Sequence, residues 1–303
     1  MSVTNFPGGS TTASTGIPIT KVTVPALVEM KRQGKPISAL TAYDYSSSRL
    51  ADEAGIDLLL VGDSLAMVMQ GLENTLAVTV DEMLLYTRGV RRAVRRALLV
   101  ADMPFGSYHG AVADGVANAV RFVKEAGAEA VKIEGPRVEL VRALTDAEIP
   151  VVGHLGLTPQ SIHRMGGYRV QGRTAESASQ LKADALALAE AGAGLVVLEG
   201  IPREVAAEIT AALPVPTIGI GAGPDCDGQI LVFHDLLGLT FAPAAKFVRR
   251  YADAGELIRG AIEHYREDVE RRAFPTDEES YHLAPAVRET LDAAVKAGVL
   301  RNA

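Results

Sequence analysis

Seven short apolar runs alternate with stretches of helical spacing between Ile37 and Gly221, several of those runs end abruptly in an acidic or polar side chain, and no segment reads as an interdomain linker. Together these features predict an α/β chain whose parallel sheet closes as a single-domain (β/α)8 barrel, the TIM-barrel form, with a disordered N-terminal tail and a C-terminal helical extension. An open doubly wound sheet is the competing closure. The length of 303 residues favours the barrel, which usually takes ~250 residues and leaves the remainder for extensions.

Residues 1–20 are rich in Gly, Ser and Thr and lack the basic start and apolar centre of a signal peptide, so a flexible tail is expected there. Residues 21–303 are assigned to the catalytic barrel with its extension. A helix is expected over residues 24–31, stopping at Gly34, and a strand over 37–44. Residues 46–54 read as a helix ended by Gly55. After Asp57 comes Leu58-Leu59-Leu60-Val61, which ends in Gly62-Asp63-Ser64 and fits a strand buried on both faces. Thr79-Val80-Asp81-Glu82 resembles a capped helix start. Arg88, Arg91, Arg92, Arg95 and Arg96 then share helical spacing, which predicts one solvated face rather than a ligand site.

The alternation continues with strands over 97–102, 130–134 and 150–154 and helices over 111–126 and 137–147. A long loop, 155–173, precedes a helix over 174–191, a strand over 194–199, a helix over 203–213 and a strand over 215–221. The eighth strand is expected somewhere within 230–241. From about Gly255 onward, with Phe274-Pro275 breaking a charged helix, the chain is expected to form an extension packed outside the barrel or against a neighbouring subunit.

Composition excludes several functions. Apolar residues make up 48% and charged residues 22%, and the net charge of −7 offers no electrostatic reason for a nucleic-acid or anionic-membrane partner. No apolar run approaches the ~18 residues of a membrane span. Cys226 is the single cysteine, so an internal disulfide is impossible and a cytoplasmic location is expected. As a nucleophile it is a poor choice, since a lone cysteine is more often simply packed.

In a closed parallel barrel the carboxyl ends of the strands converge on one mouth, where chemistry is done. Here those ends carry Asp44, Asp63-Ser64, Asp102, Glu134, His154 and Glu199. Asp44 directly precedes Tyr45-Ser46-Ser47-Ser48 and suits a helix cap. The two-residue period places Lys132 and Glu134 on the inner face and Val131 and Ile133 against the outer helices. Lys132 therefore answers the surrounding carboxylates or holds an anionic ligand. Asp63, Asp102 and Glu134 cannot all stay ionised together without a cation, and oxygen ligands without a Cys or His cluster favour Mg²⁺ over Zn²⁺. Glu199, two strands further round, is placed to act as a base on a metal-held substrate. His154 is equally compatible with packing and with a polar contact in the site. The turn Gly219 to Gly223 is read as a plain tight turn, because Pro224 spoils a nucleotide-binding fingerprint.

With these residues assembled, the sequence resembles the ketopantoate hydroxymethyltransferase family from about Lys21 to Tyr281. The resemblance rests on Leu40-Thr41-Ala42-Tyr43-Asp44, Val61-Gly62-Asp63-Ser64, Asp102-Met103-Pro104-Phe105-Gly106-Ser107-Tyr108, Val131-Lys132-Ile133-Glu134-Gly135, Gly153-His154-Leu155-Gly156-Leu157-Thr158-Pro159-Gln160-Ser161 and Cys226-Asp227-Gly228-Gln229. It implies a Mg²⁺ site at Asp63, Asp102 and Glu134, the last directly or through water. It further implies that Asp63, Ser64, Asp102 and Lys132 hold the oxo acid and that Glu199 is the proton acceptor. The implied reaction moves a hydroxymethyl group from 5,10-methylenetetrahydrofolate to 3-methyl-2-oxobutanoate through a Mg-stabilised enolate, giving 2-dehydropantoate for pantothenate synthesis. The implied assembly is a ring-like homo-oligomer, commonly a decamer. Departures at Tyr86-Thr87 and Glu278-Glu279-Ser280-Tyr281 touch neither the metal nor the base. A Mg-dependent carbon–carbon lyase on a related 2-oxo acid and a non-catalytic ligand-binding protein are the rival readings.

Overall fold

The computed structural model describes residues 20–297, so the tail expected over residues 1–20 lies outside the described residues except for its last member. Eight parallel strands close a barrel in sequential order, each pairing with the next and the eighth with the first. They are β1 (Ile37–Thr41), β2 (Leu58–Val61), β3 (Leu98–Asp102), β4 (Ala130–Glu134), β5 (Val151–Gly156), β6 (Leu195–Glu199), β7 (Thr217–Ile220) and β8 (Gly228–Leu231). Their sequences are nearly continuous apolar runs because both faces are covered.

Two apolar sets divide the strands by alternate residues. Leu59, Val61, Leu99, Ala101, Val131 and Ile133 join the core beneath the surrounding helices. Leu58, Leu60, Leu98, Val100, Ala130 and Val152 fill the barrel interior. Lys132 and Glu134 continue that inner face past Ala130, as their spacing requires, and end the apolar filling with charge.

Several expected boundaries shift for local reasons. β1 stops at Thr41 because Asp44 is occupied as the N-cap of the helix Tyr45–Glu53, accepting from the Ser47 N–H at 3.0 Å. The eighth strand begins at Gly228, ahead of the expected window, and residues Phe233–Leu237 of that window are helical. The capping box at Thr79 and Glu82 forms as expected. Its helix, however, is Val80–Ala93, so Arg95 and Arg96 lie beyond its end and the five-arginine face does not exist. Val94 turns to extended backbone, and the Arg95 and Arg96 N–H groups donate to the Asp52 carboxylate instead of continuing the helix. Arg96 then pairs with Asp57 at 2.6 Å.

The barrel unit runs to Ala252, and a separate compact unit begins at Asp253. That unit contains the helices Ala254–Glu270 and Pro285–Lys296; the first ends before Phe274-Pro275. No helix among the described residues is long and apolar enough to cross a membrane.

Candidate active site

Strand register assembles the site. Asp102 lies beside Lys132 on adjacent strands, Glu134 beside His154, and Gly156 beside Glu199. From β3 to β6 the functional positions therefore climb along successive strands, as the stagger of a closed barrel requires. Asp63 follows β2 after Gly62, whose missing side chain matters: a Cβ there would stand 2.8 Å from Ser64 Oγ and 3.5 Å from Asp102 Oδ2. This close approach lets the Asp63 main-chain N–H donate to Asp102 Oδ2 at 3.0 Å.

All of the sequence-predicted site residues line one cavity of about 200 Å³ at the C-terminal mouth: Asp63, Ser64, Asp102, Lys132, Glu134 and Glu199. His154, left open by the sequence, lines it as well. Cys226 does not. Exposure is 4% for Asp63, 2% for Asp102, 5% for Lys132, 4% for Glu134 and 2% for His154, so water screens their charges poorly.

The charges answer one another unequally. Lys132 Nζ lies 2.5 Å from Asp102 Oδ1 and 4.0 Å from Glu134 Oε1. Burial works against the ammonium, but Asp102, Glu134 and Asp63 outweigh it and hold Lys132 charged. Burial raises Asp102, and the Lys132 ion pair offsets only part of the rise. Asp63 is pushed well above the carboxylate range by burial and then by the charges of Asp102 and Glu134, against opposition from Lys132 and Gln160. Glu134 goes the other way: burial favours its neutral form, but His154 and Lys132 prevail and lower it.

His154 stands between two acids, with Nδ1 3.4 Å from Glu134 Oε1 and Nε2 3.3 Å from Glu199 Oε2. Neither contact has hydrogen-bond geometry. Burial and Lys132 disfavour the imidazolium, yet the two carboxylates raise His154 to about 9. The histidine is therefore a polar member of the site and links the Glu134 and Glu199 sides of the cavity.

The donor set can be tested for a metal on this charge balance. Asp63 and Asp102 are both pushed toward protonation, which marks an excess of buried negative charge that a hard divalent cation would relieve. Yet no three His, Cys, Asp or Glu side chains are gathered tightly enough to hold a metal ion among the described residues. The residues thus fit Mg²⁺ as it is usually bound, by one or two carboxylates with water and substrate completing the shell. They do not form an all-protein cage of Asp63, Asp102 and Glu134.

Four further residues belong to the site although sequence reasoning assigned them no role. Tyr43, fully buried, shares a 2.8 Å hydrogen bond with Ser64 Oγ. Thr75 lines the cavity with a buried hydroxyl that has no hydrogen-bond partner among the described residues. Tyr168 reaches over from the long loop after β5, its hydroxyl 3.8 Å from Met67 Sδ. Gln160, in the short 3₁₀ turn Pro159–Ser161, is buried against Asp63 and Glu134. Only its place just past a strand end could have signalled it.

A closed (β/α)8 barrel with a buried lysine and four acids at its C-terminal mouth has the form of a barrel-class enzyme, whose sites lie at that end. A sequence model of ketopantoate hydroxymethyltransferase matches residues 21–277, and the chain belongs to that family. The 3-methyl-2-oxobutanoate hydroxymethyltransferase of Koribacter versatilis is 64% identical over 274 residues, covering 90% of this chain and 93% of that protein. The protein of the same name from Moorella thermoacetica is 55% identical over 263 residues, covering 86% and 98%. Among solved structures, 2,3-dimethylmalate lyase aligns with a TM-score of 0.54 at 18% identity, covering 93% of this chain and 99% of that one. Phosphonopyruvate hydrolase, solved with oxalate and Mg²⁺, aligns with a TM-score of 0.52 at 16% identity, covering 90% and 96%. At such identities the structural likeness speaks for the fold alone.

Proposed function

We propose that the barrel unit transfers a hydroxymethyl group from 5,10-methylenetetrahydrofolate to 3-methyl-2-oxobutanoate, giving 2-dehydropantoate in pantothenate synthesis. The observation that carries this reading is the gathering of Asp63, Ser64, Asp102, Lys132, Glu134 and Glu199 around one 200 Å³ cavity, in a chain of this family. The names of the relatives supply the substrate, and the buried ammonium supplies a reason for an oxo acid to bind there.

Lys132 attracts the substrate carboxylate while remaining paired with Asp102. Ser64, held by the Tyr43 hydroxyl, offers a hydrogen bond to the oxo acid. Asp63 and Asp102 would hold Mg²⁺, with Glu134 reaching it through water. When bound, the ion supplies a Lewis acid for charge that develops on the keto oxygen. Glu199 accepts the proton from C3, and His154 beside it offsets its charge. The freed carbon then attacks the methylene carbon of the folate donor, and water completes the hydroxymethyl group as tetrahydrofolate leaves. The base sits on β6 and the anion-binding group on β4, so each acts on one end of the charge shift. The family resemblance extends the proposal to a ring-like homodecamer, which light scattering would test.

The first half of this reaction can be measured alone. Protein supplied with Mg²⁺ should exchange the C3 hydrogen of 3-methyl-2-oxobutanoate with D₂O in the absence of folate. Glu199→Gln should retain oxo-acid binding and slow exchange by roughly 10²- to 10⁴-fold, the usual worth of a general base. Exchange at the parent rate in this variant would remove Glu199 as the base. Conversion of an oxo acid to new products without any folate would favour the lyase reading instead, and absence of both activities would favour a ligand-binding protein.

A further inference from the structure

Gln160, a group the mechanism does not use, hydrogen-bonds two of the site's acids, and the directions of its bonds are fixed. Its main-chain N–H donates to Glu134 Oε2 at 3.0 Å. Its side-chain Nε2 donates to Asp63 Oδ2 at 2.8 Å and to the Met103 carbonyl at 3.0 Å. Its Oε1 accepts from the Tyr108 hydroxyl at 2.6 Å. That hydroxyl in turn accepts from the Glu134 main-chain N–H at 3.0 Å, so its single proton is committed to Gln160.

The amide therefore has one satisfactory orientation. Reversed, it would set its oxygen against the Met103 carbonyl, an acceptor in every state, and its NH₂ against the Tyr108 proton. At 4% exposure no bulk water can repair such a mismatch, and each unmatched buried group is costly. One residue of the β5 loop thus ties together the end of β2 and the β3 loop by its side chain and the end of β4 by its main-chain N–H. It occupies Oδ2 of Asp63 and leaves Oδ1 without a hydrogen-bond partner among the described residues.

We infer that Gln160 is a positioning residue for the reaction: its side-chain amide fixes the Asp63 carboxyl relative to Glu134, which its main-chain N–H holds, so that a divalent cation and the oxo acid meet preset oxygens. This rests on the functional reading above and adds a group with no direct part in proton transfer. Loss of the amide leaves the Asp63 carboxyl free to turn while the main-chain bond to Glu134 stays, and the cost falls on binding before it falls on chemistry.

The test uses Gln160→Met, which keeps the side chain's length and removes both amide functions. Mn²⁺ titration followed by electron paramagnetic resonance reads the metal site without turnover, thermal melting of the metal-free protein reads the fold, and D₂O exchange reads the first half-reaction. The expected result is a melting temperature close to the parent's, Mn²⁺ and oxo-acid affinities each reduced at least tenfold, and a changed Mn²⁺ hyperfine pattern. Parent affinities and an unchanged spectrum in the folded variant would overturn the inference. If Gln160→Met does not fold, Tyr108→Phe removes only the hydroxyl that orients the amide; about a threefold loss in both affinities supports the role, and no loss refutes it. A parent protein that neither bound Mn²⁺ nor exchanged hydrogen would overturn the functional reading itself, and the inference with it.

Discussion

Gly156 shows how tightly single residues are constrained around the base. It ends β5 at a φ of +95°, and a Cβ there would stand 2.2 Å from the Glu199 carbonyl oxygen and 2.7 Å from the Ile201 side chain. Any side chain must push the end of β6 away, in addition to the strain of a positive φ. Gly156→Ala is therefore expected to cost about 1–3 kcal/mol in denaturant unfolding and to slow C3 exchange by displacing Glu199, whereas Gly55, also at positive φ but with open space around it, should lose stability alone. Equal effects of the two substitutions on exchange would argue against the contact. The difference was not visible in the sequence, where Gly55 read as a helix stop and Gly156 as part of the loop over 155–173. The acids and Lys132 were legible, because strand ends and a two-residue period locate them. Gln160 and Thr75 were not, since each lies in irregular chain that has no period to mark its direction.

At the scale of elements, local signals predicted starts better than ends. Thr79 and Glu82 cap the helix Val80–Ala93 from both sides, with Thr79 Oγ1 accepting from the Glu82 N–H at 3.2 Å and Glu82 Oε2 accepting from the Thr79 N–H at 2.7 Å. Thr79→Ala should lower stability by about 1 kcal/mol and leave isotope exchange at the parent rate, a pairing that chemical denaturation and the D₂O assay can check. The end of the same helix was misread because its cause lies elsewhere in the chain. Asp52, on the helix Tyr45–Glu53, accepts the N–H groups of Arg95, Arg96 and Ala97. The eighth strand was obscure for a related reason. β8 is a four-residue stretch with only two apolar side chains, Ile230 and Leu231, and only its pairing with Ile37–Leu40 and with β7 makes it a strand.

The whole barrel separates function from stability by its two ends. Near the amino ends of β1 and β2, Asp57 accepts from the Ser38 N–H at 3.0 Å and pairs with Arg96 at 2.6 Å. Partial burial raises the Asp57 carboxyl, but the bonds from Ser38 and Arg96 prevail and hold it below its usual range. A depressed folded-state pKa stabilises the fold fully above the unfolded value of about 3.9, and that stabilisation is lost as pH falls through the folded value. Asp57→Asn should therefore be less stable than the parent at about pH 7, with the difference shrinking as pH falls below about 4. Urea unfolding across this range checks it; a difference that grew in acid would contradict the sign. At neutral pH the exchange reaction should be unaffected, since Asp57 does not line the cavity.

The sequence by itself determined the alternation of strands and helices, the inner and outer faces of the strand that carries Lys132 and Glu134, and the identity of the charged groups at the strand ends. Those properties depend on short-range periodicity and on turn chemistry, both of which are written in neighbouring residues. Tertiary structure alone decided the level at which each group stands, since the stagger of closure sets Asp102 beside Lys132 and Glu134 beside His154. It decided as well that His154 faces Glu199 and that Gln160 spans three strand ends. Such contacts join residues up to 97 positions apart, and no local pattern specifies a partner at that distance.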